Sequence, residues 1–293
     1  MKKFCLMKKI LILGSSGFLG TSLKNVLIKS HHNIYCQSRD KDSDEKCDPS
    51  NYDEFIDLLA RLKPDIIINL IANTDVDLCQ KDKNIAFNAN VLPVLNLTNS
   101  LKHLNHNARI IHISTDHVYD GFGYKKEEQV NPLNEYASTK LEAENIILDY
   151  GGLVIRTNFI GKCMNNKKKS LTDWIYESLI KEKEITVFEN IIINPLNTKI
   201  LCKYLCSLLE KNVEGIFNLG AADGITKADL AFLFANHLNL RSDLLKKGEF
   251  IPKSHQSIRP KDMRMDISKF QNHFQVKLPS SREQVILTAA EYE

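Results

Sequence analysis

The chain has 293 residues, 43% hydrophobic and 26% charged, the balance of a soluble globular protein that can bury a core without metal or disulfide staples. With 39 basic against 36 acidic residues the net charge is only +3, which gives no support to nucleic acid or another polyanion as the main partner. The length exceeds the usual single core, so one large domain with an appendage, or two domains, is expected.

No apolar run approaches the about 20 residues of a membrane span. The opening Met1–Lys9 has the charge of a signal-peptide start, but the apolar stretch Ile10–Leu13 after it is too short and runs into Gly14. Met7 is an alternative initiator, and the cytoplasm is the expected location. The seven cysteines are odd in number and contain no CxxC, which argues against disulfides and a zinc site. Cys202 and Cys206 share a helix face and read as core fillers.

Lys9–Leu13 reads as a buried strand, and a helix begins inside the following Gly14-Ser15-Ser16-Gly17-Phe18-Leu19-Gly20. Ile34–Cys36 is a weaker second strand, Tyr52–Leu62 an amphipathic helix stopped by Pro64, and Asp65–Ile71 a third strand. Ile85–Leu104 carries a helical pattern that Pro93 bends or splits. Ala108–Ser114 and Leu153–Arg156 are further strands, with a helix over Tyr136–Leu148 between them. Strands that are apolar throughout and alternate with helices predict a doubly wound parallel α/β sheet of the Rossmann type.

Later, Asn165–Ser170 reads as a solvated basic turn, Ile216–Gly220 as a strand, and Thr226–Leu238 as a helix capped by Thr226 and Asp229. The division is a nucleotide-binding domain over 1–160 and a smaller substrate-binding lobe over 161–293, with segments around 197–240 returning to the sheet.

Gly14-x-x-Gly17-x-x-Gly20 between a strand and a helix suits a pyrophosphate. The turn needs no Cβ, the anion needs bare backbone, and the helix N-terminus offers N–H groups. Its first gap is longer than in GxGxxG. Near the end of the second strand, Ser38 and Arg39 favour the 2′-phosphate of NADP, while Asp40 leaves NAD as the alternative.

Tyr136 and Lys140 stand one helical turn apart. A lysine ammonium about 4 Å from a phenol is worth up to about 4 kcal/mol at an effective dielectric of about 20, enough to tune a phenol for proton transfer. Ser114-Thr115-Asp116 ends the fourth strand, where ligands bind in open α/β sheets, and a hydroxyl there can hold a substrate oxygen during hydride transfer. The histidines, His112, His237 and His273 among them, show no metal-ligand spacing and read as structural or surface groups; no metal is expected.

With these motifs the chain resembles an extended short-chain dehydrogenase/reductase, and more narrowly the dTDP-4-dehydrorhamnose reductase family. The likeness rests on the glycine string, Asn69–Asp77, Asn88-Ala89-Asn90, Ile113–Gly121, Pro132–Glu144, Arg156–Phe159 and Arg259–Asp262. It implies reduction by NADPH of the C4 ketone of a nucleotide-linked 4-keto-6-deoxy sugar, in deoxysugar or surface-polysaccharide synthesis. In that reading Tyr136 gives the proton, Lys140 holds the nicotinamide ribose and lowers the phenol's pKa, and Thr115 polarises the carbonyl. The resemblance puts Gly14, Ser16, Gly17, Phe18, Leu19, Gly20, Ser38, Arg39, Asp48, Pro49, Ala72, Asn73 and Asn90 at the coenzyme. It puts Asp116, Val118, Tyr119, Arg156, Asn158, Phe159 and Arg259 at the sugar nucleotide.

His117 and Phe159 stand where many members have tyrosine and tryptophan, which leaves the sugar and the C4 stereochemistry open. A 4,6-dehydratase would carry Glu where His117 stands; a 4-epimerase would keep its NAD bound; a regulatory binding subunit would not need the triad. Nothing in the chain sets the oligomeric state, and a homodimer is left open.

Overall fold

The computed structural model describes residues 6–40, 43–164, 169–254 and 256–293. Met1–Cys5, and the Asn165–Lys168 part of the basic loop, lie outside the described residues. Of that loop, Ser170 caps α7 (Leu171–Ile180), with Asp173 completing a reciprocal capping box.

Lys9–Leu13 (β1), Asn33–Ser38 (β2), Glu45–Lys46 (β3), Ile66–Asn69 (β4), Arg109–Thr115 (β5), Leu153–Thr157 (β6) and Gly215–Leu219 form one sheet. The order is Gly215–Leu219, β6, β5, β4, β1, β2, β3, and every pairing is parallel. The chain winds one way from β1 through β2 and β3, then the other way from β4 onward. The reversal between β1 and β4 leaves a crevice beyond the carboxyl ends of those strands.

Alternate side chains of each strand enter two cores, as the period of two requires. Ile10, Ile12, Ile66, Ile68, Ile111 and Ile155 meet Leu19 and Leu23 of α1 (Phe18–Leu27) and Leu201 and Leu205 of α8 (Thr198–Leu208). Leu11, Leu13, Ile67, Ile110 and Val154 meet Phe55 and Leu59 of α2 (Tyr52–Leu62), Leu97 of α5 (Leu92–His103) and Ile147 of α6 (Glu135–Asp149). Each such side chain contributes about 1.5–3 kcal/mol of burial.

Pro93 splits the long helical pattern. α4 (Lys83–Asn90) ends at Val91, and Pro93 falls in the first turn of α5, where its missing N–H costs nothing. α3 (Val76–Lys81), capped by Asp75, has too few residues to show a period in the sequence.

A second core joins α7, α9 (Lys227–His237) and α11 (Ser281–Ala289) through Ile175, Leu179, Leu230, Phe234, Val285 and Tyr292. Short ladders support it: Ile185–Phe188 beside Leu245–Gly248, and Ile192–Ile193 against Ile225–Thr226. Phe159–Ile160 pairs with Leu196–Asn197 where the two parts of the chain meet. The return to the sheet is made by α8, Gly215–Leu219 and α10 (Ser268–Phe274), whose Phe270 shares a core with Phe217. α9, inside the span expected to return, instead packs its apolar face into the second core. Cys202 is buried in the sheet-side core, with Cys206 packed against it.

Arg156, Val118 and Tyr119 do not reach the crevice as expected. Arg156 is buried and forks onto Glu144 of α6, with Nη2 2.6 Å from Oε2. Its Nη1 donates to the Tyr119 hydroxyl at 2.7 Å and to the Glu127 carbonyl at 2.6 Å. Tyr119 donates in turn to Asn218 Oδ1 at 2.6 Å, and Val118 packs with Tyr119 and Met265. These residues rivet α6 to the sheet because a buried guanidinium needs every donor matched. Glu144→Gln strips the charge from this buried pair and is expected to cost about 3–5 kcal/mol. Urea denaturation reads it as a lowered midpoint with unchanged slope; an unchanged midpoint would mean that the pair contributes nothing to stability.

Candidate active site

The glycine turn is held from β2. Gly14 takes φ 77°, and its N–H donates to Gln37 Oε1 at 3.1 Å. The Ser15 N–H and hydroxyl both donate to the Gln37 carbonyl, at 3.0 and 2.9 Å. Gln37 is a structural residue of the site that the sequence reading missed. A Cβ on Gly20 would lie 2.4 Å from the Gly14 carbonyl oxygen, so α1 abuts the turn only because that residue is bare. Gly17 opens α1 without a side-chain cap.

A cavity of about 650 Å³ opens over this turn. Gly14, Ser16, Gly17 and Phe18 form one wall; Ser38, Arg39 and Asp40 form another; Asp48, Pro49, Ala72 and Asn73 close it. Leu19 and Gly20 lie outside the lining: Leu19 is in the core beneath, and Gly20 sets the approach of helix to turn. Asn90 also stands behind the wall rather than in it. Its Oδ1 accepts from Asn73 N–H at 2.7 Å and its amide donates to Thr139 at 3.0 Å, tying the loop after β4 to α6. Bare backbone at a helix N-terminus, in a slot of this volume, fits a dinucleotide.

Thr115 ends β5, and Tyr136 sits in the first turn of α6, which Asn134 caps by accepting from Ala137 N–H at 3.0 Å. Tyr136 is 6% exposed, with Thr115 beside its phenol. Burial lifts its pKa well above the usual range; Thr115 opposes this, and Asp116 and Cys79 add to it.

Lys140 is fully buried, yet its head does not address the phenol as expected. Nζ donates to the Ile113 carbonyl at 2.8 Å and meets His112 Nε2 at 3.2 Å, so the lysine head is held by β5. Burial pulls the Lys140 pKa down to about 8, with Glu144 opposing. His112 is therefore part of the site and not a bystander.

Asp116 is buried beside Thr115. Its Oδ2 accepts from Asn158 Nδ2 at 2.6 Å and its Oδ1 from Thr115 at 3.3 Å. Burial pushes its pKa up to about 6, against Asn158, Lys227 and Thr115. His117 places its ring edge-on to Tyr136, with centroids 5.5 Å apart. Burial, aided by Lys227 and Arg259, drives the His117 pKa down to about 3, and its buried Nδ1 finds no hydrogen-bond partner among the described residues.

Arg259 donates from Nη2 to Asp77 Oδ2 at 2.8 Å, lies over the Phe250 ring at 5.7 Å, and has a buried Nε likewise without a partner among the described residues. Phe159 stacks at 5.5 Å against Phe18 of the glycine turn. His117 was legible in the sequence only as a departure from a motif. Lys227, the first residue of α9, had no sequence signal, because only the folded second lobe brings it to Asp116. Among the described residues His31, His32 and Glu210 form a cluster able to hold a metal, outside the residues named above, with Glu210 also paired to Lys8 at 3.3 Å.

A parallel sheet with a glycine turn after β1 and a Tyr-x-x-x-Lys pair on α6 is the architecture of an extended short-chain dehydrogenase/reductase. The chain belongs to the family described as the RmlD substrate binding domain, whose model matches residues 7–293. It is 30% identical over 217 residues to the dTDP-4-dehydrorhamnose reductase of Aggregatibacter actinomycetemcomitans, covering 71% of this chain and 70% of that one. It is 25% identical over 276 residues to methionine adenosyltransferase 2 subunit beta of Mus musculus, covering 90% and 82%. The structure of dTDP-4-dehydrorhamnose reductase from Bacillus anthracis in complex with NADP superposes with a TM-score of 0.87 at 20% identity, covering 98% of this chain and 100% of that one. Among the described residues no helix is long and apolar enough to cross a membrane.

The His117 shift carries a pH dependence. Its pKa falls from an ordinary 6.5 to about 3 on folding, so between these values the unfolded chain binds a proton that the folded chain refuses. The stabilisation is complete above pH 6.5 and is lost as pH falls toward 3, with a slope approaching 1.4 kcal/mol per pH unit. His117→Phe keeps the ring edge beside Tyr136 and removes this term. Denaturant titrations from pH 7 to pH 4 are expected to show a shallower acid limb in the variant; an identical limb would mean that the ring is charged in the fold.

Proposed function

We propose that this chain reduces the C4 ketone of a nucleotide-linked 4-keto-6-deoxy sugar with NADPH. The carrying observation is that Tyr136 of α6 lies buried beside Thr115, at the carboxyl end of β5, in a fold whose glycine turn suits a dinucleotide. The relatives named as dTDP-4-dehydrorhamnose reductases support this class of substrate. Ser38 and Arg39 on the cavity wall offer a hydroxyl and a cation to a 2′-phosphate, and the NADP in the Bacillus anthracis relative supports that choice. Asp40 beside them keeps NAD as the alternative.

The bound coenzyme supplies a hydride to the ketone carbon. The chain's own part is to hold the oxygen and protonate it. With its pKa raised, the Tyr136 phenol keeps its proton through neutral pH and gives it to C4 oxygen as negative charge develops there. Thr115, already in contact with the phenol, turns its hydroxyl to the same oxygen. Asp116 accepts from Asn158, which fixes that side chain, and from Thr115 until the hydroxyl turns to the substrate. The bare Nδ1 of neutral His117 suits a sugar hydroxyl donor, and Lys227 and Arg259 supply cations for the diphosphate.

The test is coenzyme oxidation with a panel of dTDP-, UDP-, GDP- and CDP-linked 4-keto-6-deoxy sugars, repeated on Tyr136→Phe. The variant is expected to lose at least about 100-fold in kcat while it still binds NADPH. Turnover unchanged in the variant would remove the phenol from the mechanism. Coenzyme binding without turnover on any sugar would favour a role as a non-catalytic binding subunit; the mouse relative is named as a subunit of another enzyme.

A further inference from the structure

We infer that His112 is a positioning residue, which grips the Lys140 amine from behind with its proton on Nε2, a tautomer dictated by Asn69. The inference rests on the reading of Tyr136 and Lys140 as reductase groups. Asn69 and His112 are register partners on β4 and β5, each following an apolar residue, Ile67 and Ile110, on the same strand face.

The direction of each hydrogen bond follows from what each atom can do. The Ile71 N–H donates to Asn69 Oδ1 at 3.1 Å. That fixes the amide, so its NH₂ end faces His112 Nδ1 at 3.0 Å. An NH₂ group only donates, so Nδ1 is the bare nitrogen of the ring. His112 is fully buried, and burial together with Lys140 holds its pKa far below the ordinary value, so the ring is neutral. A neutral ring with Nδ1 bare carries its proton on Nε2.

That N–H points at Lys140 Nζ, 3.2 Å away. An ammonium has only donors, and the contact would set donor against donor; a neutral amine has a lone pair to accept it. Lys140 passes one of its own N–H groups to the Ile113 carbonyl at 2.8 Å. One unbroken direction therefore runs from Ile71 N–H through Asn69, His112 and Lys140 to Ile113 O. With the Lys140 pKa pulled down to about 8, the amine takes this neutral form above that pH. The other ionisable groups near it on α6 are Tyr136, which keeps its proton, and Glu144, which is committed to Arg156. His112 thus sets both where the amine points and how readily it gives up a proton.

The test uses the full chain labelled with 15N-histidine. Long-range proton–nitrogen correlation spectra report the tautomer of each ring, and the signal that vanishes in His112→Gln is that of His112. At pH 9, above the Lys140 pKa, an Nε2-protonated neutral ring is expected; an Nδ1-protonated ring or an imidazolium would overturn the inference, whatever the enzyme turns over. The second arm is the pH profile of kcat. His112→Leu removes the donor to the amine, and is expected to move the limb governed by Lys140 upward by about one pH unit and to lower kcat severalfold with the KM for the sugar little changed. His112→Gln, which keeps one donor and one acceptor, is expected to restore most of the rate. A folded Leu variant with the wild-type profile would overturn the inference. Absence of turnover on every sugar would count against the reductase reading alone, and the spectra would then decide the role of His112.

Discussion

The inner stripe of α6 carries an ionisable side chain every fourth residue: Tyr136, Lys140 and Glu144. All three are buried, and a buried polar group without a partner costs more than almost any packing defect in the same volume. The sheet supplies the partners in matching order. Thr115 meets the phenol, Ile113 and His112 meet the amine, and Ser114 and Arg156 meet the carboxylate. Turning α6 by one residue would break every match at once. The helix therefore has one docked position, and the reactive end of the site inherits its geometry from that constraint rather than from the loops around it.

Burial then acts on the groups with opposite sign. It raises Asp116 to about 6 and lowers His117 to about 3, in both cases favouring the uncharged form. Lys227 and Arg259, both contributed by the C-terminal part of the chain, bring positive charge beside these groups. Arg259 is anchored to α3 through Asp77, and Ser257 donates its backbone N–H to the same carboxylate at 2.8 Å. The two parts of the chain thus share a polar seam at the place where a substrate would bridge them.

Much of the sheet was legible in the sequence because its strands are buried on both faces and read as unbroken apolar runs, with Gly14 and Pro64 as punctuation. The Tyr136–Lys140 spacing was legible for the same reason as any helical pair. Of the second lobe, α9 with its Thr226 cap was legible, and the short ladders were not. Its ladders are two to four residues long and pair segments such as Ile192–Ile193 and Ile225–Thr226, too short to show a period and too far apart to suggest each other. Val118, Tyr119 and Arg156 sit inside motif strings that read as substrate contacts, yet their side chains serve a buried ion-pair network. The partnership of Lys140 with His112 was hidden because it depends on the register of β5 against β4 and on the docking of α6, neither of which a strand pattern reveals.

In the proposed reaction a hydride passes to a sugar carbonyl whose oxygen is held by Thr115 and Tyr136. The most direct measurement is isotopic: turnover of a dTDP-linked 4-keto-6-deoxy sugar with NADPH carrying deuterium at the nicotinamide C4, followed by NMR of the product. The account expects one deuterium at sugar C4, on a single face, and none of it lost to water. Product with only solvent hydrogen at C4, or coenzyme left unoxidised while the sugar is altered elsewhere, would contradict it.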